Sequence, residues 1–226
     1  MFRKTIYSLT SILLFTALIF TSCSSEMTEQ EIKAKASEIH SDVLVVDTHC
    51  DTPMRLMRGN YNMGEYHEFS RRSGRIDFPR MKEGGHDAEF FAVFLSQREL
   101  TEEGYARAYQ LANRVIDTME AVCERHSGLA ELATTPDDAY RLERAGKRAC
   151  FLGMENGYPL GNDLSLVKHF YDRGIRYITL SHSSNNQICD SSTDDKKWGG
   201  LSPFGREVVL EMNRLGIMVD VSHISD

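Results

Sequence analysis

The sequence predicts an α/β fold with a parallel sheet of the (β/α)₈ TIM-barrel type, incomplete, with about five of the eight strand–helix units present. Between residues 135 and 223 the chain repeats one order three times: a helical pattern, a glycine, an apolar run and then an acid or a histidine. Strands that alternate with helices of this length imply βαβ units. The five apolar runs of strand character lie near Val43, Glu89, Ala149, Tyr177 and Ile217.

The first 22 residues indicate a signal peptide, outside the fold. Arg3 and Lys4 precede the apolar run from Ile12 to Phe20, which is followed by small residues. That run is too short for a membrane span. Cys23 then resembles the acylated cysteine of a bacterial lipoprotein box. We expect an exported lipoprotein of the cell envelope, anchored to a membrane through Cys23. The alternatives are a plain secretory signal or a misassigned start.

The first part of the chain after the anchor predicts one helix, two strands and a second, longer helix. Residues 23–41 form the anchor and a leading helix, capped by Thr28 with Glu31 three residues later. The polar stretch between the two strands reads as a long loop, and such loops are usually functional. The elements in chain order are a strand at Val43 to Val46, the loop from Arg55 to Lys82, a strand at Asp87 to Leu95 and a helix at Glu102 to Arg125.

The three repeats that follow carry helix start and stop signals. Thr135 caps the first helix with Pro136 behind it, and Ser202 and Pro203 do the same for the third. A glycine closes each helix, which is the usual stop signal. The closing glycines are Gly146, Gly174 and Gly216, and the strands after them read ACFLGM, RYITLS and IMVDVS.

Charge and cysteine usage exclude some classes of function. The chain has 226 residues with a formal net charge of −7 and no basic stripe, which excludes nucleic acid as a partner. Four cysteines follow Cys23, and their spacing matches no zinc-knuckle or CxxC pattern. An exported chain could oxidise one pair of them, and the sequence does not select the pair.

Residues able to bind a metal stand where predicted strands end. His49 and Asp51 close the stretch VLVVDTHCDTP, and in an extended chain both point the same way, about 7 Å apart. Glu155, His182 and His223 follow the three later strands. Carboxyl ends of parallel strands are where barrels of this type gather function. Imidazole and carboxylate donors without a thiolate suit zinc in an open, catalytic site.

Each of these residues taken alone has a simpler explanation. A histidine at a strand end is often a hydrogen-bonded loop residue, Glu155 could serve a turn, and Asp47 or Asp51 could cap local backbone. The combination favours a metal site. The remaining histidines lie in helices or polar loops and are interpreted as structural: His40, His67, His86, His126 and His169.

Several segments resemble the membrane (renal) dipeptidase family of zinc metallopeptidases. The similar segments are VVDTHCDTP, RIDFPRMKEGG, FLGMENG, GIRYITLSHSSNN and GLSPFGREVVLEMNRLGIMVDVSH. They occur in the family's order and cover roughly Asp42 to Asp226. The resemblance implies a distorted (β/α)₈ barrel that hydrolyses dipeptides, tolerates a D-residue on the carboxyl side and in some members opens β-lactam rings.

The resemblance also implies a role for each residue. His49 and Asp51 would bind the first metal, Glu155 would bridge two metals, and His223 would bind the second. His182 would contact the substrate and stabilise the tetrahedral intermediate. Two Zn²⁺ ions per complete catalytic domain and a small dipeptide substrate are therefore expected, and a homodimer is left open.

The family pattern continues beyond this sequence. Family members carry a second histidine ligand for metal two, an arginine for the substrate carboxylate and an aspartate that moves protons, all after the last matching motif. Residues 42–226 are therefore expected to be the N-terminal part of a dipeptidase barrel. Two other functions stay open: a different amidohydrolase-type metal hydrolase, or an inactive truncated surface lipoprotein.

Overall fold

The computed structural model describes residues 26–70 and 74–226. The sheet lies wholly within the larger of two units of the chain, which begins at residue 38. Helix α1, Glu29–Asp42, begins with the predicted cap: Glu31 N–H donates to Thr28 Oγ1, and Thr28 N–H donates to the Glu31 carboxylate. The signal segment and Cys23 lie outside the described residues. Within the described ranges no helix is long and apolar enough to cross a membrane.

A sheet of six parallel strands confirms the predicted α/β class with an incomplete, barrel-like strand set. The spatial order is β1-β2-β4-β5-β6, with β3 beside the amino end of β4. All five predicted strands are present, and the prediction missed β3. The strands are β1 Val46–Cys50, β2 Ala88–Phe94, β3 Ala130–Leu132, β4 Arg148–Glu155, β5 Ile175–Thr179 and β6 Met218–Asp220.

The helices follow the predicted start and stop signals. Thr135 and Asp138 form a full capping box, and Gly216 ends the last helix with a left-handed φ of 82°. A glycine adopts that φ without the steric cost of a Cβ. The helices are α2 Thr52–Leu56, α3 Phe78–Glu83, α4 Glu102–Arg125, α5 Pro136–Arg144, α6 Ser165–Asp172 and α7 Pro203–Leu215, with a short 3₁₀ helix at Tyr158–Leu160.

Two predicted boundaries near the amino end were wrong. The first strand runs from Val46 to Cys50 and not from Val43, because its ladder with β2 starts only at the pair Val46–Ala88. The predicted loop contains the end of α2 and most of α3. Asp77 accepts a hydrogen bond from Arg80 N–H and so caps α3, a signal that the polar composition of this stretch concealed.

The sheet has two apolar faces. On β2, Phe90 packs with Phe151 and Tyr177 on one face, and the next residue, Phe91, belongs to the larger core on the other. Helix α4 contributes Ile116 and Met119 to that larger core, both fully buried. The period of two along a strand therefore separates an inner face from a helix-covered one. The cysteines of the described residues are free thiols in this structure: Cys50, Cys123, Cys150 and Cys189.

Glu89 is a carboxyl group buried on β2. Its side chain is 1% exposed, and within the described chain its Oε1 atom has no hydrogen-bond partner. His86 Nε2 lies 3.4 Å from the other oxygen. Burial, assisted by the nearby charge of Asp47, raises the pKa of Glu89 to about 8. Since the ordinary pKa is 4.5, the folded chain keeps a proton that the unfolded chain loses between these two values.

We expect Glu89→Gln to stabilise the protein, by an amount that grows with pH. As pH rises from about 4.5 to about 8, the raised pKa of Glu89 progressively lowers the free energy of unfolding of the parent chain. Glutamine does not titrate, so its gain should be on the order of 3 kcal/mol at pH 7 and small at pH 4.5. Urea unfolding of both proteins at these pH values measures it. A gain independent of pH would contradict the raised pKa.

Candidate metal centre

Strand β4 brings Glu155 to the carboxyl edge of the inner face. Phe151, Gly153 and Glu155 alternate along the strand and so share that face. A Cβ at Gly153 would lie 2.0 Å from the ring of Tyr177, so only glycine lets the ring lie there. The Tyr177 hydroxyl consequently reaches Nδ1 of His49 at 3.0 Å. This contact joins the end of β1 to β5.

The side-chain ends of His49 and Asp51 meet where β1 passes into α2. The strand stops at Cys50, and Asp51 stands at the N-cap of α2 with φ −80° and ψ 9°. Its carboxylate makes no capping bond. Asp51 Oδ1 lies 3.5 Å from His49 Nε2. The two side chains therefore converge at the end of the strand.

The Glu155 carboxylate faces two groups of potential ligands. Its Oε2 lies 3.4 Å from His49 Nε2. Its Oε1 lies 3.4 Å from Nε2 of His182 and 3.4 Å from Nε2 of His223. The donor atoms of His49, Asp51 and Glu155 lie within 4.8 Å of one another, and so do those of Glu155, His182 and His223. Glu155 is the member common to both groups.

The charges of these groups shift their pKa values in opposite directions. The hydrogen bond with Glu155 is the main cause that raises the pKa of His49 to about 9, and the charge of Asp51 adds to it. Burial alone would raise the pKa of Glu155, but the hydrogen bond from His49 and the charges of His182 and His223 outweigh it and lower that pKa. Burial and the charge of Glu155 raise the pKa of Tyr177, so its phenol stays protonated at neutral pH. At neutral pH the cluster thus pairs an ionised Glu155 carboxylate with a protonated His49.

His182 and His223 are held side by side by the segment between β5 and α7. Their ring centroids are 4.3 Å apart. His182 also packs edge-on against Phe94 at 5.0 Å, and its Nδ1 lies 2.7 Å from Ser183 Oγ. Ser192 N–H donates to the carbonyl of His223 at 2.9 Å. His182 therefore lies in a braced loop between β5 and α7, and Ser192 of the same loop holds the backbone of His223, which follows β6.

The five predicted site residues come together, and the aspartate Asp47 stays outside both groups. Asp47 Oδ1 accepts a hydrogen bond from His49 N–H at 3.2 Å, which is the local capping role considered for it. None of the other five histidines belongs to either group among the described residues. Tyr177 was missed. The sequence signal for its role was a tyrosine inside an apolar strand, because a buried hydroxyl requires a hydrogen-bond partner.

The donor geometry fits a divalent ion in each group. Two ligands about 2.1 Å from one tetrahedral ion lie about 3.4 Å apart, close to the nitrogen–oxygen distances around Glu155. With Nε2 of His49 free to ligate, Nδ1–H donates to Tyr177, as the second ring nitrogen of a metal-binding histidine usually does. A cavity of about 350 Å³ adjoins the groups and is lined by His49, Glu155, Tyr177 and His223 among others.

A larger cavity, of about 630 Å³, includes Glu89, Arg55, His49 and Asp51 in its walls. It does not include Glu155, His182 or His223. The smaller cavity is lined by three of the donor residues, His49, Glu155 and His223, so size alone does not identify the site.

Known proteins with similar sequences are dipeptidases. "Dipeptidase tcpJ" of Claviceps purpurea is 35% identical over 159 residues, covering 68% of this chain and 37% of the relative. "Dipeptidase 3" of Homo sapiens is 31% identical over 204 residues, covering 87% of this chain and 40% of the relative. The chain thus spans well under half the length of these two relatives.

Solved structures show the same fold. A probable dipeptidase, PvdM, from Pseudomonas aeruginosa superposes with a TM-score of 0.75 at 27% identity, covering 87% of this chain and 51% of that one. A metallopeptidase of family M19, dipeptidase AC, gives a TM-score of 0.69 at 26% identity, covering 81% of this chain and 57% of that one. Residues 33–226 match the family profile described as membrane dipeptidase, peptidase family M19. Because the profile covers most of the chain and relatives at 31–35% identity cover 68–87% of it, the chain belongs to the membrane dipeptidase family M19.

Proposed function

We propose that this chain carries the metal-binding half of a zinc-dependent dipeptidase with two ions that share Glu155. The observation that carries the proposal is the Glu155 carboxylate, which presents one oxygen to His49 and the other to His182 and His223. Family membership supports a dipeptide as substrate. Imidazole and carboxylate donors without a thiolate support zinc in an open site.

The residues have separate tasks in this proposal. His49 and Asp51 would hold one ion, His223 would hold the other, and Glu155 would contribute to both. When bound, such a pair supplies an activated water at neutral pH and polarises the scissile carbonyl. Tyr177 fixes the ring orientation and tautomer of His49. His182 donates from Nε2 to the oxyanion that develops on the attacked carbonyl.

Metal content and dipeptide cleavage test the proposal together. We expect the purified, zinc-loaded chain to retain up to two ions after gel filtration, measured by inductively coupled plasma mass spectrometry. Alanyl dipeptides with an L- or a D-residue at the carboxyl end serve as substrates, with ninhydrin or chromatographic detection of the free amino acids. A histidine outside both groups supplies the control, His169→Ala, which should retain the metal. Retention of no ion by the parent chain would overturn the proposal.

Assays with amides other than dipeptides distinguish the proposed dipeptidase from the alternative, another amidohydrolase-type metal hydrolase. An amidohydrolase-type hydrolase would use the same ions on a cyclic or acyl amide. Metal binding with cleavage of such an amide and not of any dipeptide would retain the metal site and reject the dipeptidase assignment. Metal content is the primary readout, because the three donors of one group, His49, Asp51 and Glu155, all lie in this chain.

We also propose that the protein is an exported lipoprotein held at the cell envelope through Cys23. The apolar run before Cys23 supports the proposal, since it has the length of a signal-peptide core. Cys23→Ala should abolish incorporation of a labelled fatty acid, because the thiol is the site of acylation. Expression in a bacterium with labelled palmitate, followed by fractionation, measures this, with Cys50→Ala as the matched control. Equal labelling of the parent and Cys23→Ala would contradict it.

A further inference from the structure

Asn186 is a buried asparagine whose side chain uses its full hydrogen-bonding capacity. It lies in the segment between β5 and α7 and is 0% exposed. Its Nδ2 donates to the carbonyl of Leu180 at 2.7 Å and to Oδ1 of Asn156 at 2.9 Å. Its Oδ1 accepts from the backbone N–H groups of Ile188 and Cys189 at 2.8 and 3.1 Å. A carboxamide has two donors and two acceptor positions, and all four are used.

Asn156, which accepts a hydrogen bond from the Asn186 side chain, directly follows Glu155. Its φ of 78° is the only positive φ of a non-glycine residue in the described ranges. Asparagine tolerates this left-handed conformation better than most residues do. Its Oδ1 accepts from Tyr158 N–H at 3.1 Å as well as from Asn186. The two bonds hold the turn through which the chain leaves the metal-facing end of β4.

Leu180, whose carbonyl accepts the other hydrogen bond from the Asn186 side chain, stands two residues before His182. The bond from Asn186 fixes the carbonyl of Leu180, and Ser191 Oγ donates to the carbonyl of His182 at 2.5 Å. Asn186 therefore ties the chain that carries Glu155 to the chain that carries His182. None of these hydrogen bonds involves the side chain of Glu155 or of His182.

We infer that Asn186 is a positioning residue, which holds the Glu155 carboxylate, through Asn156, where a metal ion on its Oε1 side requires it, and holds His182 beside it through Leu180. The inference rests on the proposed function. In this inference a side chain outside both metal groups maintains the geometry of the site, through its hydrogen bonds with Asn156 and Leu180. Loss of the Asn186 carboxamide leaves every donor residue present and removes only the bonds that set their spacing.

The test uses Co²⁺ as the probe, because its visible absorption reports the coordination geometry. The full chain and Asn186→Ala are titrated with Co²⁺ alone after removal of other metals. We expect the variant to bind Co²⁺ about 10–100-fold more weakly, the usual cost of losing a residue that orients a ligand, with an altered visible spectrum. Asn113→Leu is the matched control, because Asn113 also bonds several partners, Tyr109, His169 and Arg173, outside the metal groups. It should lower the melting temperature and leave the Co²⁺ affinity and spectrum unchanged.

The outcomes separate the inference from the proposed function. Absence of Co²⁺ binding by the parent chain overturns both. Binding by the parent with unchanged affinity and spectrum in Asn186→Ala overturns the inference alone. If Asn186→Ala fails to fold, Asn156→Gly decides: glycine adopts the positive φ freely and removes the acceptor for Asn186. Weaker Co²⁺ binding by folded Asn156→Gly supports the inference, and parental binding overturns it.

Discussion

Glu155→Gln should lose ions from both metal groups. Replacement of any other single donor should affect only one group. The amide has one oxygen in place of two and no negative charge, so it cannot offer a carboxylate oxygen to each group. We expect metal content to fall from up to two ions per chain to one or none. Any dipeptidase activity should fall by more than about 10–100-fold, which is the usual cost of losing only an outer residue that orients a ligand.

Glu89→Gln is a matched control, since it also replaces a buried glutamate on the neighbouring strand. Its side chain is in neither metal group, so its metal content should equal that of the parent. Metal analysis of the parent and both variants after identical loading and gel filtration makes the comparison. Two retained ions in Glu155→Gln would remove Glu155 from the centre and reject the shared-carboxylate proposal.

The metal-free protein offers a second measurement of the same residue. Glu155 is the main cause of the pKa of about 9 at His49. Removal of its charge should therefore lower the pKa of His49 toward the ordinary value of 6.5. A histidine ring titration by NMR on the apo parent and apo Glu155→Gln would show it. An unchanged His49 pKa would place Glu155 outside hydrogen-bond range of His49 in solution.

The sheet was predictable because its signals are local. Closing glycines, proline at the first helical turn and Thr or Ser caps mark α5 and α7 directly in the sequence. β3 was not predictable, since three residues, Ala130–Leu132, carry too few side chains to show a period. The start of β1 depended on where its partner β2 begins, which no local signal in Val43 to Val46 reports.

The site was predictable to the level of which residues converge, but not of how they are held. Strand-end position placed Glu155, His182 and His223 at one edge of the sheet. The position of Asp51 at the start of α2 was not predicted, because the polar stretch that follows concealed that helix. The roles of Tyr177 and Asn186 depend on contacts with residues far away in the sequence, such as His49, which lies 128 positions from Tyr177.

The geometry leaves a sharp question about His182, which the sequence resemblance treats as a substrate-contacting residue. Its Nε2 is as close to Glu155 Oε1 as the Nε2 of His223 is, 3.4 Å in both cases. Position alone would thus allow His182 to be a third ligand on that side. The two roles differ in what remains after the imidazole is removed.

We expect His182→Ala to retain the bound ions and to lower turnover by roughly 10²–10³-fold, the usual cost of one oxyanion donor. If His182 acts on the oxyanion, the loss should appear in kcat more than in KM, because the donor acts mainly on the transition state. Metal content, kcat and KM of His182→Ala and the control His169→Ala are measured side by side, on a preparation whose parent chain turns over dipeptide. Loss of one ion per chain from His182→Ala would make His182 a ligand of the second metal, and the oxyanion donor would then have to be another group.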